Sequence, residues 1–155
     1  MLPSISKKHK EYIDTAVHIA QRSCMRCKHG AIIVKNGSVV ACGHNYSSQH
    51  CIYRNKYSLH AEVNAIYDFF TKNKIPLRNK KKILRDAFMI VIRIEKDGSL
   101  RNSKPCSECA RVICRYNIGT ILYSVSEFCN FKDELDIETI DIQNILNGNY
   151  KMLTS

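Results

Sequence analysis

The chain has 155 residues, 45% of them hydrophobic, with 24 lysines and arginines against 14 acidic residues and a formal net charge of +10. That is enough apolar material to bury a sizeable core without disulfides or partners. No stretch is long and apolar enough to cross a bilayer, and Met1-Leu2-Pro3-Ser4-Ile5 passes into Lys7, Lys8 and Lys10 without an apolar run of signal-peptide length, so the expected setting is a reducing, cytoplasmic-type compartment with no membrane partner.

Tyr12, Ile13, Ala16, Val17 and Ala20 recur at helical spacing and predict an amphipathic helix over about 6–22, with Ser6 as its cap. Ala31-Ile32-Ile33-Val34 and Val39-Val40-Ala41-Cys42, joined through Asn36-Gly37, read as an antiparallel hairpin with a type I′ turn, because that dipeptide tolerates positive φ. Ala61, Ala65, Ile66 and Phe69 predict a helix from Leu59 to about Thr71, with His60 at its start. Phe88-Met89-Ile90-Val91-Ile92 is a continuous apolar run, the mark of a central strand buried on both faces. Cys106 to about Tyr116 then reads as helix and Thr120-Ile121-Leu122-Tyr123 as a fourth strand. Strands alternating with helices imply an α/β fold, a sheet with helices on its faces. The expectation is one domain over 1–155, with a core over about 6–125, a basic insertion over about 72–86 and an acidic extension over about 126–155.

Two segments carry chemistry: His60-Ala61-Glu62, and Pro105-Cys106-Ser107-Glu108-Cys109. Zinc prefers four tetrahedral ligands, and a catalytic zinc keeps one position for water, so one imidazole and two thiolates are the complement of an open site. His60, Cys106 and Cys109 are that complement. A lone C-x-x-C could be a redox pair or half of a structural finger. A finger would want a fourth protein ligand close to His60, whereas the neighbour on its helix is Glu62. A helix N-terminus presents unpaired N–H groups and partial positive charge, which favour a thiolate there, and Pro105 suits the place where a helix begins. Cys106 should then enter the first turn, with Cys109 on the same face. Two of the eight cysteines are thereby assigned to metal; Cys42 in a strand and Cys114 in a helix read as small buried hydrophobes, and His18 as a surface residue.

The pair of segments resembles the H-x-E and P-C-x-x-C signature of the zinc deaminases. More narrowly, His60-Ala61-Glu62-Val63-Asn64-Ala65-Ile66 looks like the HAE-x-NAI string of deoxycytidylate deaminases, and Pro105-Cys106-Ser107-Glu108-Cys109-Ala110 like their PC-x-EC-A; tRNA adenosine deaminases typically place Met where Glu108 stands. Ala20-Gln21-Arg22-Ser23 and Gly30-Ala31-Ile32-Ile33-Val34 extend the likeness upstream, so that it runs from about residue 10 to 125. The resemblance implies a single-domain three-layer α/β/α sandwich, cytidine deaminase-like, with a central mixed sheet and an antiparallel first hairpin. It implies Zn2+ as cofactor, Glu62 as proton carrier, a small-molecule nucleotide substrate, a homo-oligomer, and hydrolytic deamination of a cytosine nucleotide, dCMP to dUMP. It also carries a sugar contact to Asn45, in Gly43-His44-Asn45, and a contact to the base carbonyl to the Ala61 backbone. Where those enzymes continue with Gly-x-Pro this chain has Tyr46-Ser47-Ser48-Gln49, which leaves Arg54 and Lys56 on the same connection as the candidate phosphate contacts.

Lys72, Lys74, Arg78, Lys80, Lys81, Lys82 and Arg85 lie in one stretch without an acidic residue, while Glu127, Asp133, Glu134, Asp136, Glu138 and Asp141 make the C-terminal stretch acidic. Such a block reads as a solvated insertion, and alternatively as a track for a nucleic-acid backbone. The second function class is therefore a deaminase of tRNA or single-stranded nucleic acid, and the third a zinc-stabilised binding scaffold without catalysis, against which an intact Glu62 argues. Cys24-Met25-Arg26-Cys27 with His29 and His50 or Cys51 has the look of a second zinc site, which spacing alone does not establish.

Overall fold

The structure is a computed structural model that describes residues 7–47, 58–76, 79–125 and 137–141. Helix α1 (Lys7–Ala20) buries Tyr12, Ile13, Ala16, Ile19 and Ala20, the predicted stripe; Ser6 lies outside the described residues. Strands β1 (Lys28–Lys35) and β2 (Ser38–His44) form the expected hairpin, longer at both ends. Asn36 (φ 51°) and Gly37 (φ 77°) both take positive φ, as a type I′ turn demands. The Tyr12 hydroxyl donates to the Gly37 carbonyl at 2.8 Å and ties α1 to that turn.

Two short strands, β3 (Tyr46–Ser47) and β4 (Ser58–Leu59), pair with each other and lead into α2 (Ala61–Asn73). After it come β5 (Phe88–Ile94), β6 (Leu100–Arg101), α3 (Ser107–Arg115), β7 (Thr120–Ser124) and β8 (Ile137–Asp141). The main sheet runs β2-β1-β5-β7-β8, with β6 paired to the end of β5. Only β5 and β7 are parallel, so the sheet is mixed and its first hairpin antiparallel, as expected. The acidic stretch was expected as an extension; part of it is β8, a strand antiparallel to β7. An edge strand needs no continuous apolar run, so composition hides it.

Strand alternation sorts the core into two layers. Ile32, Val34, Ile90, Ile92 and Ile94 pack under α1, and Ala31, Ile33, Met89, Val91, Ile121 and Tyr123 pack against the apolar side chains of α2 and α3. That is the three-layer α/β/α sandwich. Gly43 lets α2 sit close on β2: a Cβ there would lie 2.5 Å from the Ala65 nitrogen and 2.8 Å from the Ala61 oxygen, so the first turn of α2 fits only over a bare backbone.

The basic stretch exposes Lys72, Lys74, Lys81, Lys82 and Arg85 to solvent, but it is anchored to the core by the apolar residues between them. Leu84 is fully buried, Ile75 and Ile83 pack on the α2–α3 core layer, the Lys35 ammonium donates to the Ile83 carbonyl and the Asn117 amide to the Lys81 carbonyl. Lys80 stands over the Phe70 ring at 5.4 Å, and Lys72 pairs with Asp68 at 2.9 Å. Apolar residues interleaved with the charges anchor the connection. It leaves from the C-terminal end of α2, and 13 helical residues separate it by about 20 Å from the N-terminal end. No helix among the described residues is long and apolar enough to cross a membrane.

Candidate active site

His60 is the N-cap of α2, in extended conformation, and its side chain makes no capping bond. Its imidazole is free to turn toward α3, where Nδ1 lies 3.1 Å from the Cys109 sulfur and 3.6 Å from that of Cys106. The three ligand atoms all fall within 4.8 Å of one another, with Cys109 buried and His60 and Cys106 exposed. With Zn–S near 2.3 Å and Zn–N near 2.0–2.1 Å, tetrahedral ligand atoms stand roughly 3.5–3.8 Å apart, so donor set and spacing both fit zinc with an open face toward solvent. Cys106 was expected inside the first turn of α3; it is the N-cap instead, one position earlier, and Pro105 precedes the helix. The cap position has its own logic. The Cys106 sulfur accepts from the Cys109 N–H at 3.5 Å, satisfying one of the donors a helix start leaves open and fixing one cysteine on the other.

Glu62, in the first turn of α2, is only 4% exposed. Burial pushes its carboxyl above the usual range, opposed by a hydrogen bond to its own backbone amide, by the charge of His60 and by a hydrogen bond with Cys109. The carboxyl thus lies against the metal cluster without belonging to it. Ala61 is fully buried at the first helical position, where a backbone N–H has no acceptor within its own helix.

The same end of the sheet supplies a floor. Asn45 is buried just beyond β2; its Oδ1 accepts from the His29 N–H at 2.9 Å and its Nδ2 donates to the Cys27 carbonyl at 2.7 Å. Ser23 donates to the Asn45 carbonyl, and Asn64 donates across from α2 to the His44 carbonyl at 3.0 Å. Asn64, a letter of the resemblance, is therefore a brace between α2 and the strand end that carries Asn45. Arg93 reaches the Cys27 sulfur at 3.4 Å and Glu95 at 3.3 Å.

Two serines were missed in the sequence. Ser103 and Ser124 are both buried; the Ser103 hydroxyl donates to the Val91 carbonyl at 2.6 Å and accepts the Ser124 N–H at 2.8 Å. Nothing in Asn102-Ser103-Lys104 distinguishes them from an ordinary loop. Arg54 and Lys56 lie outside the described residues, as do His50 and Cys51. Cys24 is exposed and Cys27 half-buried, and among the described residues His60, Cys106 and Cys109 form the one cluster that could hold a metal. Cys42 and Cys114 are half-buried against the core layers, and His18 is exposed.

The family profile described as the cytidine and deoxycytidylate deaminase zinc-binding region matches residues 6–125. Among solved structures, the apo dCMP deaminase of the cyanophage S-TIM5 is similar at 27% identity, with a TM-score of 0.56 over 82% of this chain and 87% of that one. The same enzyme in complex with dCMP and dUMP aligns at 23% identity over 96% and 93%, with a TM-score of 0.57. The cytidine deaminase of Burkholderia pseudomallei shares the fold at 17% identity, a TM-score of 0.60 and 88% and 94% coverage. No curated protein sequence matches. With a profile spanning most of the chain and its zinc-ligand types converging at the starts of two adjacent helices, the chain belongs to the cytidine and deoxycytidylate deaminase family and is a zinc-dependent deaminase, a hydrolase.

Proposed function

We propose that this enzyme converts dCMP to dUMP with release of ammonia. The observation that carries the reading is the buried Glu62 carboxyl against a cluster of one imidazole and two thiols, a proton carrier beside a metal site. The choice of dCMP is supported by 27% identity to a dCMP deaminase over most of both chains, and by Asn64 and Glu108 in the two motif strings.

His60, Cys106 and Cys109 would hold the zinc. Bound there, zinc would supply Lewis acidity that lowers the pKa of water to near neutrality, so that hydroxide becomes available. Glu62 accepts the proton released by that water and delivers it to N3 of the cytosine ring, which makes C4 electrophilic. After hydroxide adds at C4, Glu62 takes the remaining proton of the added hydroxyl and passes it to the amine, so that the C4=O bond forms as the C4–N bond breaks. Cytosine and water thus become uracil and ammonia. The Ala61 N–H, with no helical acceptor, is assigned to the base carbonyl. Asn45 is assigned to the sugar: its contacts with Cys27 and His29 fix the amide and leave a second lone pair on Oδ1 for a hydroxyl.

The basic stretch lies about 20 Å from the His60 end of α2, beyond the reach of a mononucleotide. Incubating zinc-loaded protein with dCMP, deoxycytidine, cytidine, cytosine, guanine, adenosine, tRNA and single-stranded DNA, and measuring ammonia, tests the reading. Fastest turnover of dCMP is expected. Release from a polynucleotide alone would replace this reading with that of a nucleic-acid editor.

A further inference from the structure

We propose that Arg93 receives the 5′-phosphate of the substrate, making the enzyme selective for a nucleoside monophosphate over the nucleoside. The proposal deepens the dCMP reading and rests on it for the identity of the base. Three observations carry it. The first is placement. Residues 89 and 91 of β5 pack toward the α2–α3 layer, so strand alternation sends Arg93 to the same side, at the end of β5 that continues toward Pro105 and Cys106. His29, its partner in the β1–β5 ladder, lies within electrostatic reach of both Arg93 and His60.

The second is an unmet donor. The Arg93 Nε is buried and has no acceptor among the described residues, while the side chain as a whole is 31% exposed. A buried N–H without a partner costs about as much as a lost hydrogen bond, and native structures keep one mainly where a ligand or water completes it. Arginine presents its donors as a planar fork that matches phosphate oxygens. The third is charge. Arg101 faces Arg93 in the β5–β6 ladder, and Glu95 contacts both, at 3.8 Å and 3.3 Å. Glu95 is thus shared between two guanidiniums, and the contacts to Glu95 and the Cys27 sulfur orient Nη2 without occupying Nε. The connectivity of a nucleotide fits this order. With the base at the zinc cluster and the sugar at Asn45, the phosphate falls to Arg93 as a neighbour of Asn45, because Arg93 touches Cys27, whose carbonyl holds Asn45.

The test compares zinc-loaded parent, Arg93→Gln and Arg93→Lys, with retained zinc and unchanged circular dichroism as the check of folding. Calorimetric titration with dUMP and with deoxyuridine is run beside turnover of dCMP and deoxycytidine. Loss of a charge-assisted phosphate contact should weaken dUMP binding and kcat/KM for dCMP roughly ten- to hundredfold in Arg93→Gln. Deoxyuridine binding and deoxycytidine turnover should change by no more than about twofold, a split that damage to the fold would not give. Arg93→Lys should recover part of the loss. Equal dUMP affinity in parent and Arg93→Gln, or loss of nucleoside and nucleotide binding together, would overturn the proposal while leaving dCMP deamination standing. A parent that turns over no cytosine compound would instead sink the dCMP reading, and the dUMP titrations would still decide the role of Arg93; a parent that binds no dUMP sinks both.

Discussion

The hydroxyls of Ser103 and Ser124 lie 2.8 Å apart in a buried pair that joins the end of β7 to the segment running into Cys106. Ser124 further donates to the Arg101 carbonyl and accepts the Arg93 N–H, and the Ser103 N–H donates to the Ser124 carbonyl. Only Lys104 and Pro105 separate this knot from a zinc-ligand position, so the cysteine inherits its place from two serines with no chemistry of their own. Ser103→Ala leaves the Val91 carbonyl and the Ser124 N–H without their partner, at a cost of about 1–3 kcal/mol per buried group left unpaired. A lower unfolding temperature and about tenfold weaker zinc retention against a chelator are expected; unchanged zinc affinity would remove Ser103 from the positioning of Cys106.

Zinc should also be part of the folded state's stability. A metal present at about a hundred times its dissociation constant adds about 2.7 kcal/mol to the folded form. Thermal unfolding before and after chelation should therefore show a clear downward shift in Tm, and Cys106→Ala should unfold near the chelated parent's Tm and no longer respond to chelator. A chelator-insensitive parent that contains no zinc yet releases ammonia would contradict this.

Glu62 separates proton transfer from metal binding. Glu62→Gln keeps the shape and should keep zinc and fold, while kcat falls by about 10²–10⁴, the usual contribution of a positioned acid–base group. Metal content and turnover measured on one preparation decide it, and a zinc-replete variant with parental kcat would exclude Glu62 as proton carrier.

Changing Lys80, Lys81 and Lys82 together to Ala tests the basic connection. Lys80 contributes a cation–π contact of about 0.5–1 kcal/mol, so a small loss of stability is expected. Mononucleotide turnover should stay within a few-fold, since the site lies at the other end of α2. Any binding to single-stranded DNA should weaken in the variant and lose part of its salt dependence, whose slope is about −0.7 per phosphate contacted. A collapse of mononucleotide turnover with zinc intact would place these lysines in the active site.

The elements with a strong period were legible in the sequence. Helices α1, α2 and α3, the hairpin through Asn36-Gly37 and the apolar β5 all stand where spacing predicts them, within a few residues. What the sequence hid was cooperative. Ser103, Ser124, Asn64 and Arg93 matter through partners 12 to 66 residues away, and no local pattern marks a residue whose role is a distant hydrogen bond. The basic stretch was legible in its exposed charges but not in its anchoring, because seven charges outweigh Ile75, Ile83 and Leu84 in any composition window, although those three decide where it packs. Cys106 was misplaced by one position, because a cysteine is an uncommon helix cap and Pro105 fits either register.

The outer edge of β2 has a fate of its own. Its Cys42 N–H is taken by the Asp68 carboxylate at 3.0 Å and its His44 carbonyl by the Asn64 amide, both from α2. A strand from another copy that tried to extend the sheet on this side would have to evict two helix side chains first, one of them already bound to Lys72. The device that braces the catalytic end thus also blocks strand-by-strand addition of another copy at Cys42 and His44.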